Sequence, residues 1–164
     1  MQIRRASDSD LDAMWQIFQR VTAAGDALPF SDDFGRGTFR SHWFGPHTSY
    51  VAVEDACVLG MYKLGANYPG LGSHVATATY LVGAEVQGRG IGRALVQHSL
   101  TQARDAGYMA MQFNYVVSTN EGAVELYRTM GFAIVGTLPK AFRHKHLGLV
   151  DAYVMHRFLH PRDT

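Results

Sequence analysis

The sequence contains a single cysteine, Cys57, so an intramolecular disulfide is excluded and a cysteine-built zinc site has no ligand set. A reducing, cytoplasmic setting is the expectation that follows. Long hydrophobic runs are missing as well. Every apolar stretch is broken by glycine, histidine or charge before the roughly 18 residues that a membrane span requires. The opening segment, Met1 to Ala6, leads into Ser7-Asp8-Ser9-Asp10 without the apolar stretch of a signal peptide. A surplus of one charge is also lacking. With 15 basic and 14 acidic side chains the formal net charge is +1, so no field draws nucleic acid or an acidic membrane surface. Neither is expected as a partner. Charged residues are 18% against 47% hydrophobic, the balance of a folded chain. Repeats, low-complexity tracts and linkers are absent, and residues 1–164 read as one domain. A chain of this length buries about two-thirds of its unfolded surface.

What is present alternates between the two regular periods. Residues 2–5 read as a strand. Asp8 is placed to cap a helix whose apolar face is Leu11, Met14, Phe18 and Val21, ended by Gly25. Phe34, Phe39, Trp43 and Phe44 suggest a second, short helix before Gly45-Pro46. Strands are expected at 49–53, 58–64 and 74–83, then a helix from Ile91 to Gly107. In the strand expected at 109–117, Met109, Met111, Phe113 and Tyr115 fall on one face and Gln112 and Asn114 on the other. Ser118 and Glu121 have capping-box spacing before a helix ending at Gly131, and two further strands close the chain.

The most informative segment joins the strand 74–83 to the helix after it, through Gln87-Gly88-Arg89-Gly90-Ile91-Gly92. Glycines allow close approach of the backbone, and the helix start offers free N–H groups and a positive dipole end, so a phosphate or pyrophosphate fits there. A Walker A loop is excluded because no Gly-Lys-Ser/Thr follows. A dinucleotide fingerprint is excluded because Arg93 stands where its third glycine belongs. The Gln/Arg-x-x-Gly-x-Gly/Ala turn of acetyl-CoA-dependent acetyltransferases matches in full. A turn that holds no ligand is the plain alternative.

Downstream, Asn120 to Phe132 has the form Asn-x-x-Ala-x-x-x-Tyr-x-x-x-Gly-Phe. With both motifs in order, the sequence resembles the GCN5-related N-acetyltransferase (GNAT) superfamily over about residues 1–158. The resemblance implies an α/β fold with a mixed, mostly antiparallel sheet of about seven strands and about four helices. It also implies a bulge in the strand before the glycine turn and two central strands that splay at the acetyl-CoA site. Acetyl-CoA would be the co-substrate, with no metal. Leu81, Val82 and Gly83 would meet its pantetheine arm, and Gln87, Gly88, Arg89, Gly90, Ile91 and Gly92 its pyrophosphate. Asn120 would bond the pantetheine region and Tyr127 would protonate the departing thiolate. From periodicity alone Tyr127 is a buried aromatic and Asn120 a helix-start residue.

A narrower resemblance, carried by Lys63 to Val75, Phe113 to Asn120 and Val150-Asp151-Ala152, is to yeast enzymes that acetylate proline analogues such as azetidine-2-carboxylate. It implies a small-molecule amine acceptor, an amino acid or proline analogue among the candidates, and places Asn114 against it. The plain alternative is that Asn114 satisfies a free backbone group. Pro29, Phe30 and Trp43 are candidates for the acceptor wall or for the core. Glu54, Glu85 and Asp151 are candidate bases only by their place at strand ends, and none is assigned. His42, His47, His144 and His146 lack ligand spacing, and His144 to His146 reads as a solvated basic loop. A homodimer is compatible with such a domain. The competing functions are a catalytically silent CoA-binding module and a protein N-acetyltransferase.

Overall fold

The computed structural model describes residues 1–31 and 33–160. Among these, seven strands and four helices run β1 (Gln2–Arg5), α1 (Leu11–Ala24), α2 (Arg36–Trp43), β2 (Thr48–Glu54), β3 (Cys57–Ala66), β4 (Val75–Val82), α3 (Ile91–Asp105), β5 (Ala110–Val117), α4 (Glu121–Thr129), β6 (Ala133–His144) and β7 (Gly148–Phe158). The strands form one sheet in the order β1-β2-β3-β4-β5-β7-β6. The expected α/β architecture, mixed and mostly antiparallel, is the one observed. Among the described residues no helix is long and apolar enough to cross a membrane.

Period-two alternation assigns the two faces of the sheet. Val51, Met61 and Leu81 sit side by side in register on β2, β3 and β4. They are buried with Met14, Ile17 and Phe18 of α1 and Phe39 and Trp43 of α2. Tyr50, Tyr62 and Tyr80, also in register, project to the opposite face, where Ile91, Leu95, Val96, Leu100 and Ala103 of α3 complete the second core. Each such buried side chain stabilises the fold by about 1.5–3 kcal/mol.

Two helix starts differ from expectation. Ser7, not Asp8, precedes the first turn, a short 3-10 segment over Asp8–Asp10 that leads into α1. Asp10 is buried, accepts from the Ser7 backbone N–H at 2.8 Å and takes both Arg4 nitrogens at 2.8 Å, while Asp8 pairs with Arg40. At α4 the cap is Asn120, whose Oδ1 accepts from the Ala123 N–H at 3.3 Å. Ser118 instead donates its backbone N–H to the Asp151 carbonyl, 2.9 Å away, which ties the segment to β7.

The feature that positions the site is a split in the sheet. Parallel pairing of β4 with β5 is confined to Val75 with Ala110 and Ala76 with Met111. Beyond that point β4 follows β3 and β5 follows β7. The bulge expected in the strand before the glycine turn is not there: β4 pairs with β3 in unbroken register from Ala76 to Val82. The irregularity lies on β5, between Phe113 and Val116. It ends the alternation, so Val116 and Val117 are both buried and Tyr115 does not continue the face of Met111 and Phe113. Met109, expected on that face, is exposed ahead of the strand.

Candidate active site

Between β4 and α3 the chain passes through a short 3-10 turn, Ala84–Val86, and then Gln87 to Gly90. Gly88 and Gly90 have φ of +78° and +80°, values that strain any residue with a Cβ. A Cβ at either would meet nothing within 4 Å, so both present open backbone in front of the α3 N-terminus. The first α3 hydrogen bond observed is Ala94 N–H to the Gly90 carbonyl, which leaves the preceding amides as donors in the positive end of the helix dipole. Gly92 has a different part. A Cβ there would touch Leu126 at 3.5 Å, which makes it a packing point between α3 and α4. Ile91 is buried in the core. Arg89 pairs with Glu54 at 2.7 Å, and Arg93 donates to Thr129 Oγ1 at 3.2 Å. The anion-binding capacity of this turn is therefore that of its backbone.

Two cavities adjoin at the split. The first, about 480 Å³, lies between α1 and the ends of β4 and α4, with Val82, Gly83, Gln87 and Asn120 in its wall. The second, about 290 Å³, follows the gap between β4 and β5, with Leu81, Asn114, Asn120 and Tyr127 in its wall. Asn120 and Ala27 border both. Of the candidate cofactor, acceptor and catalytic residues named from sequence, these seven come together, while Gly88, Arg89, Gly90, Ile91 and Gly92 line neither cavity. Because the Asn120 carbonyl oxygen is occupied by the α4 cap, its amide nitrogen is what remains for a ligand.

Tyr127 reaches the second cavity from α4. Its ring is held by Phe113 at 4.6 Å, Tyr80 at 6.0 Å and Phe132 at 6.1 Å between centroids. Among the described residues its hydroxyl has no hydrogen-bond partner, and burial raises its pKa above that of an ordinary phenol. It is thus a protonated donor facing the gap. Tyr80 differs: its hydroxyl is engaged by Ser99 at 2.7 Å.

Asn114 is held by side chains, not by a free backbone group. Its Nδ2 donates to Asn67 Oδ1 at 2.6 Å, and its Oδ1 accepts from Asn67 at 3.2 Å and Gln112 at 2.9 Å. Pro29 and Phe30 line the second cavity, whereas Trp43 is in the α2 core. The three acids at strand ends are occupied elsewhere: Glu54 by Arg89, Glu85 by Arg20 and Asp151 by the Lys140 backbone N–H. None borders the second cavity.

Sequence alone did not place Lys63, His42 and His47 in that cavity, yet all three line it. Lys63, on β3, is 7% exposed, and its Nζ lies 2.8 Å from Nε2 of His42 at the end of α2. His47 donates Nε2–H to the Ala66 carbonyl at 3.1 Å and packs so closely on β3 that a Cβ at Gly65 would overlap its ring. Desolvation first, then the Lys63 charge, lowers His42 to about 4, and burial lowers Lys63 to about 8. The available signal was a lysine amid Met61, Tyr62 and Leu64, on the strand face that alternation gives to the core.

The profile of the Acetyltransferase (GNAT) family matches residues 11–132. A GCN5-related N-acetyltransferase from Kribbella flavida superimposes with a TM-score of 0.93 and 40% identity, covering 96% of each chain. N-acetyltransferase aca1 of Schizosaccharomyces pombe is 36% identical over 98 residues, 59% of this chain and 47% of its own, so the present chain spans about half the length of that relative. The L-amino acid N-acyltransferase MnaT of Escherichia coli is 26% identical over 147 residues, 85% of this chain and 84% of its own. With the glycine turn, the split sheet and the Asn120–Tyr127 helix, these likenesses make the chain a member of the acetyltransferase (GNAT) family.

Proposed function

We propose that the chain is an acetyl-CoA-dependent N-acetyltransferase acting on the primary or secondary amine of a small molecule, amino acids and proline analogues among the acceptors. The observation that carries this is the adjoining of the two cavities where β4 leaves β5, with Gln87 of the glycine turn in the wall of the first and Tyr127 in the wall of the second. The residues fit the group. Open backbone at Gly88 and Gly90 before α3 suits a pyrophosphate, and the unpaired edge of β4 at Leu81, Val82 and Gly83 suits the amides of a pantetheine arm. Bound acetyl-CoA supplies a thioester carbonyl to an attacking amine.

In this reading Asn120 donates its amide N–H to the pantetheine region. Tyr127 holds a proton for the sulfur as the C–S bond breaks, and desolvation keeps that proton on the oxygen until a thiolate needs it. Asn114 bears on the acceptor. MnaT is described as an L-amino acid N-acyltransferase, which supports an acceptor of that size. A silent CoA-binding module would have no use for a free phenol in the gap. A screen of amino acids, amino-acid analogues and polyamines, with thiol release as readout, tests the reading. Release with none of them, in protein that binds acetyl-CoA, would favour the silent module or a protein acceptor.

A further inference from the structure

The second cavity has a sign. His42, His47 and Lys63 border it, and no Asp or Glu is among its described lining residues. Lys63 is the only lysine or arginine there, more than nine-tenths buried, and among the described residues it forms no ion pair. An ammonium removed from water without a carboxylate is costly, and the usual outcome is pairing or neutralisation. Here neutralisation is incomplete. With its pKa lowered to about 8, Lys63 stays mostly protonated at pH 7, whereas His42, lowered to about 4, stays neutral, so its Nε2 facing the ammonium accepts. Lys63 has three N–H donors and one hydrogen-bonded acceptor, His42 Nε2. Among the described residues, its remaining donors have no acidic partner.

The surroundings hold this cation in place. On β3 it is in register with Ser49 of β2 and Thr79 of β4, and Thr77 and Thr79 carry hydroxyls along the same wall. Its stem lies against the α2 core, with Nζ 6.0 Å from the centre of the Trp43 ring. His47 is fixed beside it by the Ala66 carbonyl and by the lack of a side chain at Gly65. Tyr127 and Asn114 border the same space.

We propose that Lys63, oriented by His42, is the anion subsite of the acceptor cavity and binds the carboxylate of an α-amino or α-imino acid while the amine faces the thioester. This rests on the transferase reading and narrows its acceptor to amines that carry a carboxylate beside the nitrogen. Lys63 selects the substrate and does not move the reacting proton.

The test pairs L-methionine, L-alanine, L-proline and azetidine-2-carboxylate with their carboxamides, on wild type, Lys63→Met and Lys63→Arg. Wild type is expected to prefer the acids by about thirtyfold or more in kcat/KM, expressed mainly in KM. Lys63→Met should remove that preference by raising KM for the acids while leaving the amides within about threefold, and Lys63→Arg should retain part of it. Equal use of acids and amides by wild type overturns the proposal. So does an equal fall in kcat for both by Lys63→Met, which marks a base. If no amine is turned over, the transferase reading fails on its own, and calorimetry decides the subsite. Binding of the acids but not the amides to CoA-saturated wild type, lost in Lys63→Met, upholds it, and no binding of either overturns it.

Discussion

Arg89, the arginine inside the glycine turn, is committed to Glu54, with Nη2 2.7 Å from Oε2. Glu54 is shared with the amino terminus at 3.5 Å, so the guanidinium is anchored toward β2 and β1. An anion at the start of α3 therefore depends on backbone amides more than on this side chain. Gly90→Val should lower acetyl-CoA affinity about tenfold or more, because it strains a φ of +80° and fills the open face of the turn. Arg89→Ala should lower it less than about threefold. Calorimetry on both variants checks this; a larger loss from Arg89→Ala would give the phosphate to the guanidinium.

For Tyr127 the expected outcome separates chemistry from packing. Tyr127→Phe keeps the ring against Phe113 and removes only a hydroxyl that has no protein partner among the described residues. Turnover should fall roughly 100-fold with acetyl-CoA affinity and melting temperature little changed. Steady-state kinetics and calorimetry on one preparation decide it, and turnover within about threefold of wild type would reduce Tyr127 to a packing residue.

Asn114 and Asn67 form a reciprocal amide pair, which makes a test at two positions. Asn114→Ala should lower kcat/KM for the acceptor at least about tenfold while acetyl-CoA affinity holds. Asn67→Ala should cause part of the same loss, because it frees the Asn114 amide to turn. Saturation curves for each substrate on each variant give the answer. A loss confined to acetyl-CoA would move Asn114 to the other substrate's side.

Stability should fall toward acid in two stages. His42 is near 4 in the fold against an ordinary value of 6.5, so the unfolded chain binds its proton first. The contribution of neutral His42 is complete above pH 6.5 and is lost as pH falls toward 4. Asp10, lowered from 3.8 to about 2 chiefly by its hydrogen bonds to Arg4, contributes fully above pH 3.8 and is lost between there and 2. Thermal melts from pH 8 to 2 should show both stages, with the first reduced in His42→Gln and the second in Asp10→Asn. A melting temperature flat from pH 7 to 4 in wild type would contradict the His42 assignment.

Where a segment had one strong period, its sequence was enough. The faces of α1 and α3 and the strands of the sheet lie where Leu11, Met14, Phe18, Ile91, Leu95 and Val96 put them. The glycine turn was legible because Gly88 and Gly90 serve a backbone conformation that other residues avoid. Legibility ended where tertiary contacts overrode local pattern. The β5 bulge exchanges faces after Phe113, and no residue type announces it. Ser118 has the composition of a cap, yet β7 claims its N–H and Asn120 takes the role. The burial of Lys63 is not legible because a lysine in a strand suggests a solvent face, and only the placement of α2 over β3 shows otherwise.

The brevity of the β4–β5 ladder has a thermodynamic consequence. Among the described residues two residue pairs are the only ladder contacts between the half-sheet β1–β4 and the half-sheet β5–β7, and both lie at one end. The two half-sheets share one core but are laddered along an incomplete seam, and separation at the open end breaks no strand pairing. A ligand lying in that seam and hydrogen-bonded to both edges would act as the missing rungs. Its binding energy would be felt on both sides of the seam: amide exchange at the inner ends of β4 and β5 should slow together.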